Sequence, residues 1–168
     1  SLRAGDLMYI HGVAYAKQAS ENQLTEQIIF ADRGALFDRM GRELAYNMRP
    51  ASTTGEEGDF ATRTYSTYRG LSHVVGYVKP PAKDSSGAYY RSSFVGIDGA
   101  EHVYDGILSG KNGRILTETD AHGAVVSQSA EGPPIAGAPL ILSIDAAVTQ
   151  GLYDAIAARA ADSRFQAG

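Results

Sequence analysis

Cysteine is absent from the 168 residues, which excludes a disulfide framework, a thiolate metal site and a cysteine nucleophile, while leaving the redox compartment open. Long apolar runs are missing too. No stretch approaches the roughly 20 apolar residues that cross a bilayer, and no signal-peptide pattern precedes the first helical segment. The third absence is an excess of positive charge. The net charge is -4 and the 15 Lys and Arg are scattered, so no basic stripe exists to neutralise a row of phosphates, and nucleic acid is excluded as a partner.

What is present suits a folded chain of short elements. A 43% hydrophobic content supports a real core, and 19 glycines with 6 prolines imply many turns, as in a strand-rich α+β domain rather than a helical bundle. Asp6 can cap a first helix with Leu7, Ile10 and Ala14 on one stripe. Leu24 to Ala31, Ala35 to Asp38 and Glu43 to Tyr46 read as strands of a small antiparallel unit, with Met40-Gly41 as a tight connection. The polar stretch Pro50 to Asp59 is the best internal break. Leu71, Val74 and Val75 suit a helical turn ending at Gly76, and Lys79 to Tyr89 reads as a polar, proline-containing loop.

Further on, Asp98 and Glu101 have the spacing of a capping box. They predict one helix with Ala100, Val103, Tyr104, Ile107 and Leu108 on its apolar face and Gly110 as its stop. Arg114 to Thr119 and Ala124 to Ser129 flank Asp120-Ala121-His122-Gly123 as a β-hairpin. Leu140 to Leu142 then forms a final strand, and Ser143 or Asp145 caps a last helix carrying Val148, Leu152 and Ile156 at four-residue steps.

The catalytic signals are weak. Gly106 to Lys111 (GILSGK) has its glycines one residue too close for a phosphate loop, and Asn112 stands where Ser or Thr would hold magnesium. A helix-ending Gly followed by a turn accounts for it. His11, His73, His102 and His122 show no metal-binding spacing. No S-x-x-K occurs, so a Ser/Lys acyl-transfer site is excluded. Glu118 with Asp120, or Asp98 with Glu101, supplies the carboxylate pair that glycoside hydrolysis needs; strand solubility and helix capping account for the same residues. No metal or other cofactor is implied.

Several segments together carry a family resemblance. Arg33 to Ala45 (RGALFDRMGRELA) resembles the R-G-x-I-x-D-R-N-G-x-x-L-A signature that opens the pedestal of class B penicillin-binding proteins, including Arg33, Gly34, Asp38, Arg39 and Gly41. Arg63, Tyr65 and His73 to Val78, with Gly76 and Tyr77, are similar to the family's second block. Gly96, Gly99, Glu101, Tyr104, Asp105, Leu108, Gly110 and Gly113 fall at the positions of its third. Asp120 to Gly123, Pro133-Pro134, Gly137 and Leu142 to Asp145 continue it. The likeness runs from about Arg33 to Ile156. Met40, Ser66, Ser143 and Thr149 replace the usual Asn, Pro, Thr and Gln, and the loop at 50–59 is short where many members insert a head lobe.

The resemblance implies an irregular α+β pedestal, or dimerisation domain, over residues 1–142 and a linker helix over 143–168. It leads towards a transpeptidase domain that would begin about where Gln166-Ala167-Gly168 ends. The opening Ser1-Leu2-Arg3, in place of Met, points to upstream sequence holding a membrane span. By resemblance the parent cross-links peptidoglycan at the extracytoplasmic face of the bacterial membrane, with its own transpeptidase domain, a SEDS-type glycan polymerase and a second copy of itself as partners. The chain itself would then be no enzyme. A small glycan hydrolase and a free-standing wall-binding module are the rival readings. Within the pedestal reading, Arg33, Asp38, Arg39 and Glu101 are expected to pair across packed elements, with Arg33 linked to Glu101. The glycines are expected at positive φ or at close backbone approaches.

Overall fold

The computed structural model describes residues 23–49 and 60–162. The helix expected after Asp6 and the break at 50–59 lie outside them. The described elements fall into two compact units.

The first unit is an antiparallel sheet in the order β1-β9-β10, formed by β1 (Gln23–Ile29), β9 (Gly113–Thr119) and β10 (Val125–Glu131). The hairpin between β9 and β10 turns where Asp120 and Gly123 place it. The Asp120 carboxylate accepts from the amides of His122 and Ala124, both at 2.9 Å, and Gly123 takes φ +81°. Nothing lies within 4 Å of a Cβ built at Gly123, so Gly123→Ala carries only the left-handed backbone penalty. It should lower stability by about 1–2 kcal/mol, read from the urea midpoint; an unchanged midpoint would show that the turn relaxes freely. β1 corrects one expectation. It does not join the following strands but pairs along its length with β9, Gln23 opposite Thr119 and Ile29 opposite Gly113. The segment after it carries Arg33 into the interior and so cannot close a tight turn.

The second unit holds a four-stranded sheet in the order β11-β2-β3-β4. Its strands are β2 (Leu36–Phe37), β3 (Glu43–Met48), β4 (Thr62–Tyr65) and β11 (Leu140–Ile141), with β11 parallel to β2 and the other pairs antiparallel. Gly41, at φ +79°, turns β2 into β3. Helix α1 (Ser72–Val75) ends at Gly76 as its sequence implies. The loop expected at 79–89 is instead ordered into two small antiparallel pairs: β5 (Val78–Lys79) with β8 (Val95–Gly96), and β6 (Ala82–Lys83) with β7 (Tyr89–Arg91). Phe30, Phe60, Phe94 and Tyr89 pack there as tilted and edge-on rings with centroids 5.0–5.6 Å apart.

The single helix expected from Asp98 onward is two: α2 (Gly99–Val103) and α3 (Asp105–Leu108). Tyr104, at φ −108° and ψ 20°, leaves the helical region, and its carbonyl accepts from Ile107 and Leu108 to start the second turn. The break shifts the apolar face. Ala100 and Leu108 are buried, whereas Val103 is 70% exposed. The core gathers Leu36, Leu44, Ala45, Leu71, Val75, Ala100, Leu108 and Ala146, with Tyr65, Tyr68 and Leu140 packed against it. The last helix, α4 (Ala146–Asp162), buries only Ala146 among its described side chains.

Candidate functional site

Among the described residues, four charged side chains stand inside this core: Arg33, Asp38, Arg63 and Glu101, each at most 7% exposed. They form two clusters. A charge in such surroundings persists only when its partners replace the water it has lost.

The first cluster is centred on Glu101, on the inner face of α2. Arg33 Nε donates to Oε2 at 2.7 Å and Arg63 Nε donates to Oε1 at 2.8 Å, so each carboxylate oxygen meets one guanidinium. Arg33 reaches Glu101 from the loop before β2, joining segments 68 residues apart. Its remaining nitrogens donate to the Glu101 carbonyl and to Ser109 Oγ, both at 2.9 Å, and one lies 2.7 Å from Asp105 Oδ1. Asn47 ties the arginines together, its amide donating to the Arg33 carbonyl at 2.6 Å and its oxygen accepting from Arg63 at 3.2 Å. Two arginines and two acids balance in charge. Burial and the neighbouring Glu101 charge push the Tyr65 hydroxyl up to about 12.

This geometry corrects the capping box. Asp98 does cap α2, accepting from the Gly99 amide at 2.9 Å. Glu101, however, turns inward to the arginines instead of back to the helix start, because two buried guanidinium groups bind a carboxylate more strongly than one exposed amide does.

The second cluster sits where the β2–β3 turn meets the start of α4. Asp38 Oδ1 accepts from the amides of Met40 and Arg42 at 2.9 and 2.8 Å, and Oδ2 accepts from the Ala146 amide and Arg42 Nη1, both at 3.0 Å. The same Arg42 nitrogen donates to Asp145 Oδ1 at 3.0 Å. Asp145, not Ser143, caps α4, accepting from Ala147 and Val148 at 3.0 and 3.2 Å. Arg39 pairs across elements from the surface: its side chain is 57% exposed and grips Asp145 Oδ2 from outside at 3.2 Å.

Burial alone would raise the Asp38 pKa. The Ala146, Arg42 and Met40 amides and the Arg42 guanidinium outweigh it and bring the carboxyl from 3.8 down to about 2. A depressed folded value stabilises the fold above the unfolded pKa. That contribution should be complete above about pH 4 and fade as pH falls toward 2. In Asp38→Asn the thermal midpoint should therefore vary less across that interval than in wild type; parallel curves would refute the assignment. Asp84, Asp120 and Asp145 are also held low by their hydrogen bonds, so part of the slope remains.

The structure brings Arg33, Arg63, Glu101 and Asp105 into one cluster and Asp38, Arg39 and Asp145 into the other. Gly34, Gly76, Gly96 and Gly110 lie at close backbone approaches around them. Gly113 is a buried strand residue in β9, while Tyr77 and Tyr104 are 52% and 39% exposed. Sequence reasoning missed Arg42, Asn47 and Ser109. The Arg42 position, four residues after Asp38, was the one available signal. Asp120 serves the hairpin turn, and Glu118 Oε2 accepts from Ser127 Oγ at 3.0 Å. Among the described residues no three His, Asp or Glu side chains gather as a metal site requires, and no helix is long and apolar enough to cross a membrane. In both clusters the buried carboxylate oxygens are engaged by arginine and backbone donors, an arrangement that holds backbone segments in place, while Arg63 Nη2 is buried without a hydrogen-bond partner among the described residues.

Comparison with known proteins bears on the same segments. The family model described as the penicillin-binding protein dimerisation domain matches residues 58–142. The peptidoglycan D,D-transpeptidase MrdA of Salmonella typhimurium, in strains SL1344 and LT2, is 34% identical over 95 residues, which are 51% of this chain and 15% of that protein. A crystal structure of an Atopobium parvulum protein assigned as a peptidoglycan glycosyltransferase shares the fold, with a TM-score of 0.53 and 20% identity over 82% of this chain and 25% of its own.

Proposed function

The chain belongs to the penicillin-binding protein dimerisation-domain family, and from that premise we propose that it is the non-catalytic pedestal of a membrane-anchored class B penicillin-binding protein. In this reading the pedestal holds a peptidoglycan transpeptidase domain above the extracytoplasmic face of the membrane. Residues 143–168 act as the linker into that domain. A SEDS-type glycan polymerase and a second copy of the chain are the partners such a pedestal meets.

One observation carries the reading. Glu101 and Asp38, the fully buried acids, have their oxygens engaged by arginine and backbone donors, which suits a domain whose charged residues fix architecture. The 34% identity to a D,D-transpeptidase supports the parent's activity.

Fluorescent penicillin tests it. The product of the whole gene should be acylated, whereas the 168-residue chain should take no label and release no sugar from purified peptidoglycan. Label on a serine of this chain, or release of sugar by it, overturns the proposal.

A further inference from the structure

Helix α4 is held at one end. Its first turn receives the contacts of the β2–β3 turn: Asp38 accepts from the Ala146 amide, Arg39 N donates to the Ile144 carbonyl at 2.9 Å, and Arg42 Nη1 lies 3.0 Å from both Asp38 Oδ2 and Asp145 Oδ1. Beyond that turn the apolar side chains face outward. Val148, Leu152 and Ile156 are 55%, 61% and 69% exposed. The later holds are slight: the exposed pair Arg69–Asp154 at 3.1 Å and Tyr153 beside Gly70. An exposed ion pair contributes little.

We propose that α4 is a lever pinned at its first turn, and that Arg42 is the positioning residue that sets its direction. The capping and directing bonds are separable. Asp145 caps α4 through the Ala147 and Val148 amides, bonds internal to the helix that keep it helical without aiming it. Asp38 receives the Ala146 amide, and Arg39 adds its main-chain bond to the Ile144 carbonyl and an exposed side-chain pair with Asp145 Oδ2. Arg42 supplies the hold that engages two carboxylates at once, because one guanidinium nitrogen joins the turn's carboxylate to the helix's own cap. Without it the exposed Arg39 pair is, among the described residues, the remaining ion pair at this end of the helix. Its consequence for a following domain rests on the pedestal reading; the lever itself does not.

The full chain lacks cysteine, so paired nitroxide labels can be introduced without removing a native thiol. Labels at Met48→Cys on β3 and Ala158→Cys on α4 report lever direction by pulsed electron resonance, and labels at Met48→Cys and Val95→Cys report the body. In Arg42→Met the β3–α4 distance distribution should widen about twofold, with helical circular dichroism and the body distance unchanged. Arg42→Lys, which returns one charged donor, should narrow it again. A β3–α4 distribution identical to wild type in Arg42→Met overturns the proposal. Should Arg42→Met disturb the body distance, Arg42→Gln decides. It keeps a polar side chain at the surface while removing the charge that grips both carboxylates, and an unwidened distribution there is equally fatal. Penicillin labelling plays no part in these readings, so the lever and the pedestal stand or fall separately.

Discussion

Glu101→Ala should be the most damaging removal of a single charge in this domain, lowering stability by about 3–5 kcal/mol from a total of roughly 5–15 kcal/mol. The size follows from what is left behind. Arg63, 2% exposed at its side chain, would keep only Asn47 Oδ1 as its polar partner, and Arg33, 1% exposed, would keep Asp105, Ser109 and the main-chain carbonyl of residue 101. A stranded guanidinium cannot lose its proton to escape the cost. For a chain of this length the thermal midpoint should fall by roughly 10 °C. Glu101→Gln should do little better, since its amide nitrogen would turn a donor toward one of the two arginines. Arg33→Ala should rank second, because Arg63 still holds Glu101 while Asp105, at 34% exposure, can rehydrate. Arg63→Ala should rank third, leaving the Arg33 contacts intact. A Glu101→Ala protein melting within a few degrees of wild type would show that the two arginines do not depend on this acid.

How far the sequence foresaw this depends on the distance over which each feature is decided. The hairpin at Asp120–Gly123 was legible because the side chain and the glycine that make the turn sit inside it. Asp98 and Asp145 were legible as helix caps on the same ground, their partners being one to three residues away. The family blocks placed Arg33 beside Glu101, a pair no local pattern reaches. Glu101 itself shows the limit of local reading: its spacing from Asp98 fits a capping box, yet the competing arginines lie 38 and 68 residues away and win. The segment of β1 reads as a strand, but its partner escapes local reading on the same account, since β9 lies some ninety residues on and nothing between Gln23 and Ile29 encodes that register. Arg42 stayed hidden because its second acid, Asp145, lies 103 residues away.

Gly76→Ala should rival the loss of Glu101 although it removes no interaction. Gly76 takes φ +77°, and a Cβ there would overlap the Asp98 carbonyl and stand 2.8 Å from Gly99 N. The left-handed backbone alone costs about 1–2 kcal/mol; at Gly123, where the space is open, that is the whole effect. At Gly76 the obstacle is main chain, which cannot rotate aside as a flexible side chain does. Asp98 is also the cap of α2, so displacing its carbonyl moves the helix that carries Glu101. The substitution should therefore spread from a backbone contact into the ion network, costing about 4 kcal/mol or more and losing stability in steps that do not add. In a double-mutant cycle, Gly76→Ala and Arg33→Ala together should destabilise by less than the sum of each alone, because a displaced α2 has already weakened the Arg33–Glu101 bond. Strict additivity would mean that α2 stays in place and that the strain is confined to the turn at Gly76.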